Sequence, residues 1–477
     1  MLQENNREGI VHLFEQDSRR GRRFAVSDEG WRLDYSRIPL TPAGHEALRA
    51  LPAQFGLTEC VADLFSGAIV NPSERQPALH MRLRSSEPEP AARREAFLDL
   101  AARLHDGRQG LTDLLHIGIG GSDLGPRLVA DALDEGDGRV RVHWLSTMDG
   151  RRFERLTGQL DPARTGVVMA SKSFSTEETL TQARAARDWL GAAFPKQAWA
   201  STAHADRAVE FGIDPDRVLE FPGWTGGRFS LWSSVGVSAA AVIGRERFEG
   251  LLAGARQSDR AFQAGPDASC LAVMLALLMH YLRRDLGLAT LGVVCYEPRL
   301  ALLGDYLQQL IMESLGKGVD LNDQVLDRPT APLIFGGRGT DLQHSIFQAL
   351  HQGLDTHPLL LVGSLEDDHA YPEWQRAQLS HLLAQARAFT QGRSDGAPCQ
   401  KLPGNRPVAL LLTERLLPEG LGHLLASFEH AVYALSVFWN INAFDQWGVE
   451  EGKRLATRIR ARLDQQALRL EELGDEI

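Results

Sequence analysis

The apolar positions of this chain fall into two regimes. Over the first hundred or so residues they recur at helical spacing, with polar faces and breaks at Pro39, Pro42 and Pro52. From Leu114 onward, short and nearly continuous apolar runs alternate with helical patterns. Residues 114–120 (LLHIGIG), 140–146 (VRVHWLS) and 166–171 (GVVMAS) read as strands. A long helical stretch over 248–286 separates them from a second series at 288–297, 332–335, 358–363 and 408–414. An amphipathic helix is predicted over 374–390, and a charged helical tail from about Gln446. Strands alternating with helices predict an α/β protein with parallel-rich sheets. The expected layout is a helical N-terminal region (1–105), a first α/β domain (106–245) and a second with C-terminal helices (246–477).

Composition narrows the function classes. The 477 residues are 43% hydrophobic and 24% charged, which excludes disorder as the main state. The net charge of −11 argues against nucleic acid and anionic membranes as partners. The start is polar, and the longest apolar run, 270–279, is too short to span a bilayer, so a cytoplasmic protein is expected. Four scattered cysteines form neither a disulfide framework nor a zinc ribbon. Only five of the 51 cationic residues are lysines: Lys172, Lys196, Lys317, Lys401 and Lys453. Each is worth inspecting, because arginine cannot replace a compact ammonium.

Six segments could carry chemistry. The first, HIGIGGSDLGP (116–126), ends a strand in Gly118, Gly120 and Gly121, followed by Ser122. Such glycines let the backbone approach a ligand. It is no dinucleotide fingerprint, because Asp123 stands where the third glycine belongs. The second, SKSFSTEET (171–179), crowds Ser171, Lys172, Ser173, Thr176 and Thr179 at a helix start. That is phosphate-site chemistry, although Ser175 with Glu178 could equally form a plain capping box. In GGRFSLWSSVG (226–236), Arg228 follows two glycines and can reach into a cleft.

In the fourth segment (306–322), Gln309 and Glu313 share a helical face, and Gly316 stops that helix. A carboxylate near the negative end of a helix suits a proton acceptor. In the fifth (336–353), His344 and His351 lie seven residues apart on one helical face. No carboxylate or cysteine cluster completes a metal site there, so no metal is expected. In the sixth (438–456), Gln446 and Lys453 are also seven apart. Together these parts match what aldose–ketose isomerisation of a sugar phosphate needs. The phosphate is anchored, an acid/base opens the ring, one carboxylate carries a proton between C2 and C1, and a cation stabilises the oxyanion.

From Ala78 to the end the chain resembles the glucose-6-phosphate isomerase (phosphoglucose isomerase) family. SKSFSTEET, GGRFSLWSSVG and FDQWGVEEGK carry the likeness most specifically. The resemblance implies two sugar-isomerase type three-layer α/β/α domains. It implies interconversion of D-glucose 6-phosphate and D-fructose 6-phosphate through ring opening and a cis-enediol(ate), in glycolysis and gluconeogenesis, with no cofactor. It assigns Glu313 as proton shuttle, His344 and Lys453 to ring opening and Arg228 to the enediolate. Ser171, Lys172, Ser173, Thr176 and Thr179 match the phosphate loop; Gly120, Gly121 and Ser122 line the sugar; Gln309 and Gln446 contact substrate. It further implies a homodimer in which His344 serves the neighbouring subunit's site. Leu315 and Leu342 stand where the family has polar or small residues, and are candidates to pack on each other. Two other readings stay open: the C2 epimer mannose 6-phosphate as substrate, and a non-catalytic sugar-phosphate sensor.

Overall fold

The computed structural model describes residues 9–366 and 368–463. Among them, strands run in chain order as β1 (Ala25–Asp28), β2 (Trp31–Arg37), β3 (Asp113–Ile117), β4 (Arg141–Leu145), β5 (Thr165–Ala170), β6 (Ala198–Thr202), β7 (Val218–Glu220), β8 (Thr290–Cys295), β9 (Leu333–Arg338), β10 (Leu359–Ser364) and β11 (Val408–Thr413). They form two sheets. One is wholly parallel in the order β4-β3-β5-β6-β7. The other runs β1-β2-β11-β10-β8-β9, with β8 to β11 parallel and the β1–β2 hairpin antiparallel on the edge. Helices cover both faces, which is why β3, β5 and β10 read as unbroken apolar runs: every residue in them is buried.

The seven strands read from apolar runs all form, within a few residues of their predicted ends. Four others escaped. The β6 sequence AWAST is rich in alanine and β7 is three residues long, so neither presents a β-branched run. The hairpin corrects the expectation of few strands in the N-terminal region. Its turn, Glu29-Gly30, has both φ angles positive, as a two-residue hairpin requires. Trp31, Leu33 and Tyr35 point inward while Arg32 faces solvent, an alternation hidden by the helical pattern around it.

The predicted 248–286 helix is interrupted. Helix Arg245–Ala264 ends before Gly265 and Pro266, and Leu271–His280 restarts behind them. Both pack on the central helix Pro418–Trp439, which is buried nearly all round. The tail helix spans Glu450–Leu463, and the expectation for residues beyond it lies outside the described chain. No described helix is long and apolar enough to cross a membrane.

Strand order decides where a ligand can sit. The order in which strands are added reverses between β3 and β5 of the five-stranded sheet: β4 is laid on one side of β3, then β5, β6 and β7 on the other. In open α/β sheets, ligands bind beyond the carboxyl ends of the strands at such a switch point. The loops leaving β3 and β5 are the glycine loop and the Ser/Thr-rich loop.

Candidate active site

The glycine loop follows β3 and tightens into a turn at Gly120–Ser122. His116, buried in β3, ties it down: Nε2 donates to the Ser122 carbonyl at 2.7 Å, which leaves Nδ1 to accept from the Ser238 hydroxyl at 2.8 Å. Burial pushes the His116 imidazole down to about 4, so it is neutral and this tautomer holds. Gly120 has φ +59°, and a Cβ there would stand 2.9 Å from the Gln309 amide nitrogen. A Cβ on Gly121 would fall 2.0 Å from the Gly227 carbonyl oxygen and 2.7 Å from the Arg228 backbone nitrogen. The loop therefore lies directly against the backbone that carries Arg228.

The Ser/Thr-rich loop bridges β5 and the helix Glu177–Leu190. Thr176 stands at the N-cap without a side-chain capping bond, so the capping box from Ser175 and Glu178 is not formed. The hydroxyls bond among themselves: Ser171 to Thr176 at a long 3.4 Å and Ser175 to Ser173 at 2.8 Å. The buried Thr179 hydroxyl has no partner among the described residues. Burial lowers the Lys172 ammonium from its usual range, with Arg228 nearby adding to the shift and Glu74 opposing it. Hydroxyls, an ammonium and a helix N-terminus are the groups that can hold an anion.

The helix Leu303–Leu315 presents Gln309 toward the glycine loop and Glu313 toward Arg228. Gly316 ends it as read from the sequence. Arg228 is buried, with Nη1 3.6 Å from Glu313 Oε1. Its own donors are taken elsewhere. Nε donates to the Ser314 hydroxyl at 2.6 Å, Nη1 to Gln446 Oε1 at 3.0 Å, and Nη2 to the carbonyls of Ala443 and Asp445 at 2.5 and 3.2 Å. Burial pulls the Arg228 pKa down, against the pull of Glu313, Asp445 and Glu74. Glu313, Gln446 and Lys317 line a cleft of about 590 Å³, room for a hexose phosphate.

The segment after Arg228 is anchored separately. Trp232 donates to Glu429 on the central helix at 2.7 Å, and Arg84 lies over its ring while bonding Glu429 and Asp259. Arg228 is thus fixed on both sides of its own position.

One chain brings together Arg228, Glu313, Gln309, Gln446 and the glycine loop. It does not bring His344 or Lys453 to them. His344 is exposed at the end of the short helix Gly339–Gln343, and His351 belongs to a separate helix, Phe347–Gln352, so the two do not share a face. Lys453 pairs with Glu450 on the exposed tail helix. Gln446 precedes that helix, so it does not share a face with Lys453 either. Leu315 is buried in the main core, whereas Leu342 packs on the cluster around Tyr296 and Phe347; within one chain the two leucines sit apart. Among the described residues, no cluster of three or more His, Cys, Asp or Glu side chains is placed to share a metal ion. Sequence reasoning assigned no role to Ser314, Lys317 or Asp445, all of which brace Arg228 or its neighbours. The scarcity of lysine pointed at Lys317 without saying why.

The fold and this arrangement define an α/β protein with a Lys- and hydroxyl-bearing loop at the sheet's switch point and a carboxylate beside a buried guanidinium. A model of phosphoglucose isomerase matches residues 34–471. Glucose-6-phosphate isomerases of Stenotrophomonas maltophilia (strain R551-3) and Xanthomonas axonopodis pv. citri (strain 306) are 44% and 43% identical to it. These matches cover 90% and 89% of this chain and 86% of each relative. A crystal structure of a glucose-6-phosphate isomerase from Chlamydia trachomatis D/UW-3/Cx superposes with a TM-score of 0.87 at 31% identity, covering 98% of this chain and 95% of that one. The chain belongs to the phosphoglucose isomerase family.

Proposed function

We propose that this chain interconverts D-glucose 6-phosphate and D-fructose 6-phosphate, serving glycolysis and gluconeogenesis in the cytoplasm. The observation that carries the reading is the Arg228–Glu313 pair, 3.6 Å apart, with Glu313 lining a cleft and the glycine and Ser/Thr-rich loops leaving the strands at the switch point of the sheet. Ser171, Lys172, Ser173, Thr176 and Thr179 hold the phosphate, and that remote binding energy orients the sugar. Gly120, Gly121 and Ser122 line the sugar, and Gln309 and Gln446 contact it. Glu313 removes the proton from C2 of the open-chain aldose and returns it to C1. The negative charge that develops on the enediolate oxygen meets the fixed Arg228 guanidinium.

Ring opening falls to His344 and Lys453. The exposure of both supports a homodimer in which His344 reaches into the neighbouring subunit's site. The tail helix is consistent with this, since Leu455 and Leu463 stand on its solvent side in the single chain. The domain reading, 106–245 and 246–477 as two sugar-isomerase units behind the region 1–105, belongs to the same proposal.

The test is a coupled assay in which fructose 6-phosphate is supplied and glucose 6-phosphate is read through a dehydrogenase specific for it. Wild type turns over; Glu313→Gln loses about 100-fold or more of kcat while still binding glucitol 6-phosphate. Near-normal turnover by the variant would refute the base assignment. No turnover by the wild type, with glucitol 6-phosphate still bound, would favour the sensor or the other epimer.

A further inference from the structure

We propose that Lys317 and Asp445 form a positioning strut for this reaction, a partly buried ion pair that sets Gln446 and Arg228 against Glu313. The inference rests on the isomerase reading above.

Lys317 follows the helix cap Gly316, four residues after Glu313, and its backbone N–H is bonded to Thr330 Oγ1 at 3.2 Å. It therefore moves with the end of the Glu313 helix. Its ammonium donates to Asp445 Oδ1 at 2.7 Å and to the Asp445 carbonyl at 2.5 Å. Asp445 immediately precedes Gln446, whose amide oxygen holds Arg228. The same Asp445 carbonyl also receives Arg228 Nη2, so two cations share one oxygen and the Asp445 carboxylate offsets their repulsion. The other carboxylate oxygen accepts from Ser73 at 2.6 Å and Asn442 at 2.8 Å. Three chain segments, around 73, 317 and 442–446, meet at this one side chain.

An ion pair drawn largely out of water is a poor way to stabilise a fold, because desolvating two charges offsets their attraction. What it supplies is direction. Apolar side chains filling the same space would not specify where the Asp445 carbonyl points, and that carbonyl aims Arg228. Both residues line the cleft, but their charged atoms are engaged with each other and with Ser73 and Asn442. The pair is thus a positioning device rather than a catalytic one.

Two variants test this. Lys317→Met keeps the stem and removes the charge; Asp445→Asn keeps the shape and one acceptor for Lys317. Each is expected to lower kcat/KM about ten- to hundredfold. Two open-chain ligands then separate positioning from structure. Glucitol 6-phosphate has a neutral head, and 6-phosphogluconate carries a carboxylate at the carbon end that meets Arg228. Affinity for the first is expected to stay within about threefold, while affinity for the second falls with kcat/KM. The double variant is expected to be no worse than the poorer single variant. The strut is overturned if kcat/KM stays near wild type, if both ligands weaken equally, or if the single effects multiply. Should Lys317→Met fail to fold, Asp445→Asn carries both ligand comparisons. A wild type that binds both ligands but turns nothing over would overturn the isomerase reading, and the ligand comparison would still decide the strut.

Discussion

Arg228 stands 3.6 Å from Glu313, yet its hydrogen bonds go to other acceptors. Neutral acceptors, Ser314, Gln446 and two backbone carbonyls, hold the guanidinium in place. Its charge is therefore held beside Glu313 without a hydrogen bond to it, which, under the proposed function, leaves that carboxylate free to exchange a proton. A direct bidentate pair would have immobilised that carboxylate.

The glycine loop gives the sharpest steric prediction. In Gly121→Ala the new methyl meets backbone atoms of Gly227 and Arg228, which cannot swing aside. Arg228 has to shift, and kcat is expected to fall about a hundredfold. Gly120→Ala meets only the end of the Gln309 side chain, besides about 1 kcal/mol of left-handed strain, and its loss is expected to be smaller. Parallel steady-state assays check the order, and equal losses would count against the close approach.

Lys172 is the only lysine of the Ser/Thr-rich loop. Lys172→Ala is expected to weaken glucitol 6-phosphate about 10- to 100-fold and to leave binding of unphosphorylated glucitol unchanged. Calorimetry on the two ligands measures the difference directly.

If His344 serves the opposite subunit, two inactive variants rescue each other. Glu313→Gln and His344→Ala, unfolded and refolded together in equal amounts, give hybrids with one intact site. Activity is expected to recover to about a quarter of wild type. If His344 acts in its own subunit, every site of the hybrid carries one of the two mutations and no activity returns, so a hybrid without recovery would overturn the shared site. Dilution below the dimer constant must abolish recovered and wild-type activity together, and persistence in the monomer would overturn the shared site.

Asp123 makes stability depend on pH. Its carboxyl is buried, with one oxygen 3.0 Å from Arg127 and the other without a partner among the described residues. Burial pushes it up to about 6, with Arg127 and Arg152 opposing. Between about pH 4 and 6 the unfolded chain releases this proton and the folded chain keeps it, so the contribution falls as pH rises and is flat above. In Asp123→Asn that slope is absent. The stability of the variant relative to wild type is expected to grow by up to about 3 kcal/mol from pH 4 to 6.5. Melting curves across that range decide it; a constant difference would show that the carboxyl does not titrate there.

Legibility in the sequence followed physical cause. Strands buried on both faces announce themselves as apolar runs, so β3, β5, β8, β10 and β11 could be read directly. An edge hairpin needs only one buried face, and β2 was lost among helical neighbours. Glu313, Arg228 and the Ser/Thr-rich loop could be read because their local contexts are distinctive. The bracing by Ser314 and Asp445 could not, because those contacts join positions 86 to 217 residues apart. The periodicity arguments for His344 with His351, and for Gln446 with Lys453, assumed continuous helices where the chain turns.

The edge hairpin also sets an order of assembly. The strand that accepts β2 lies at 408–413, nearly the whole chain away. At about 5–20 residues per second of synthesis, β2 waits roughly 20–75 s for its neighbour. The five-stranded sheet, contiguous from 113 to 220, meets no such delay. The nascent chain therefore spends that interval with one sheet closed and a ribbon of the other exposed, Trp31, Leu33 and Tyr35 facing outward, which is where aggregation during biosynthesis would begin.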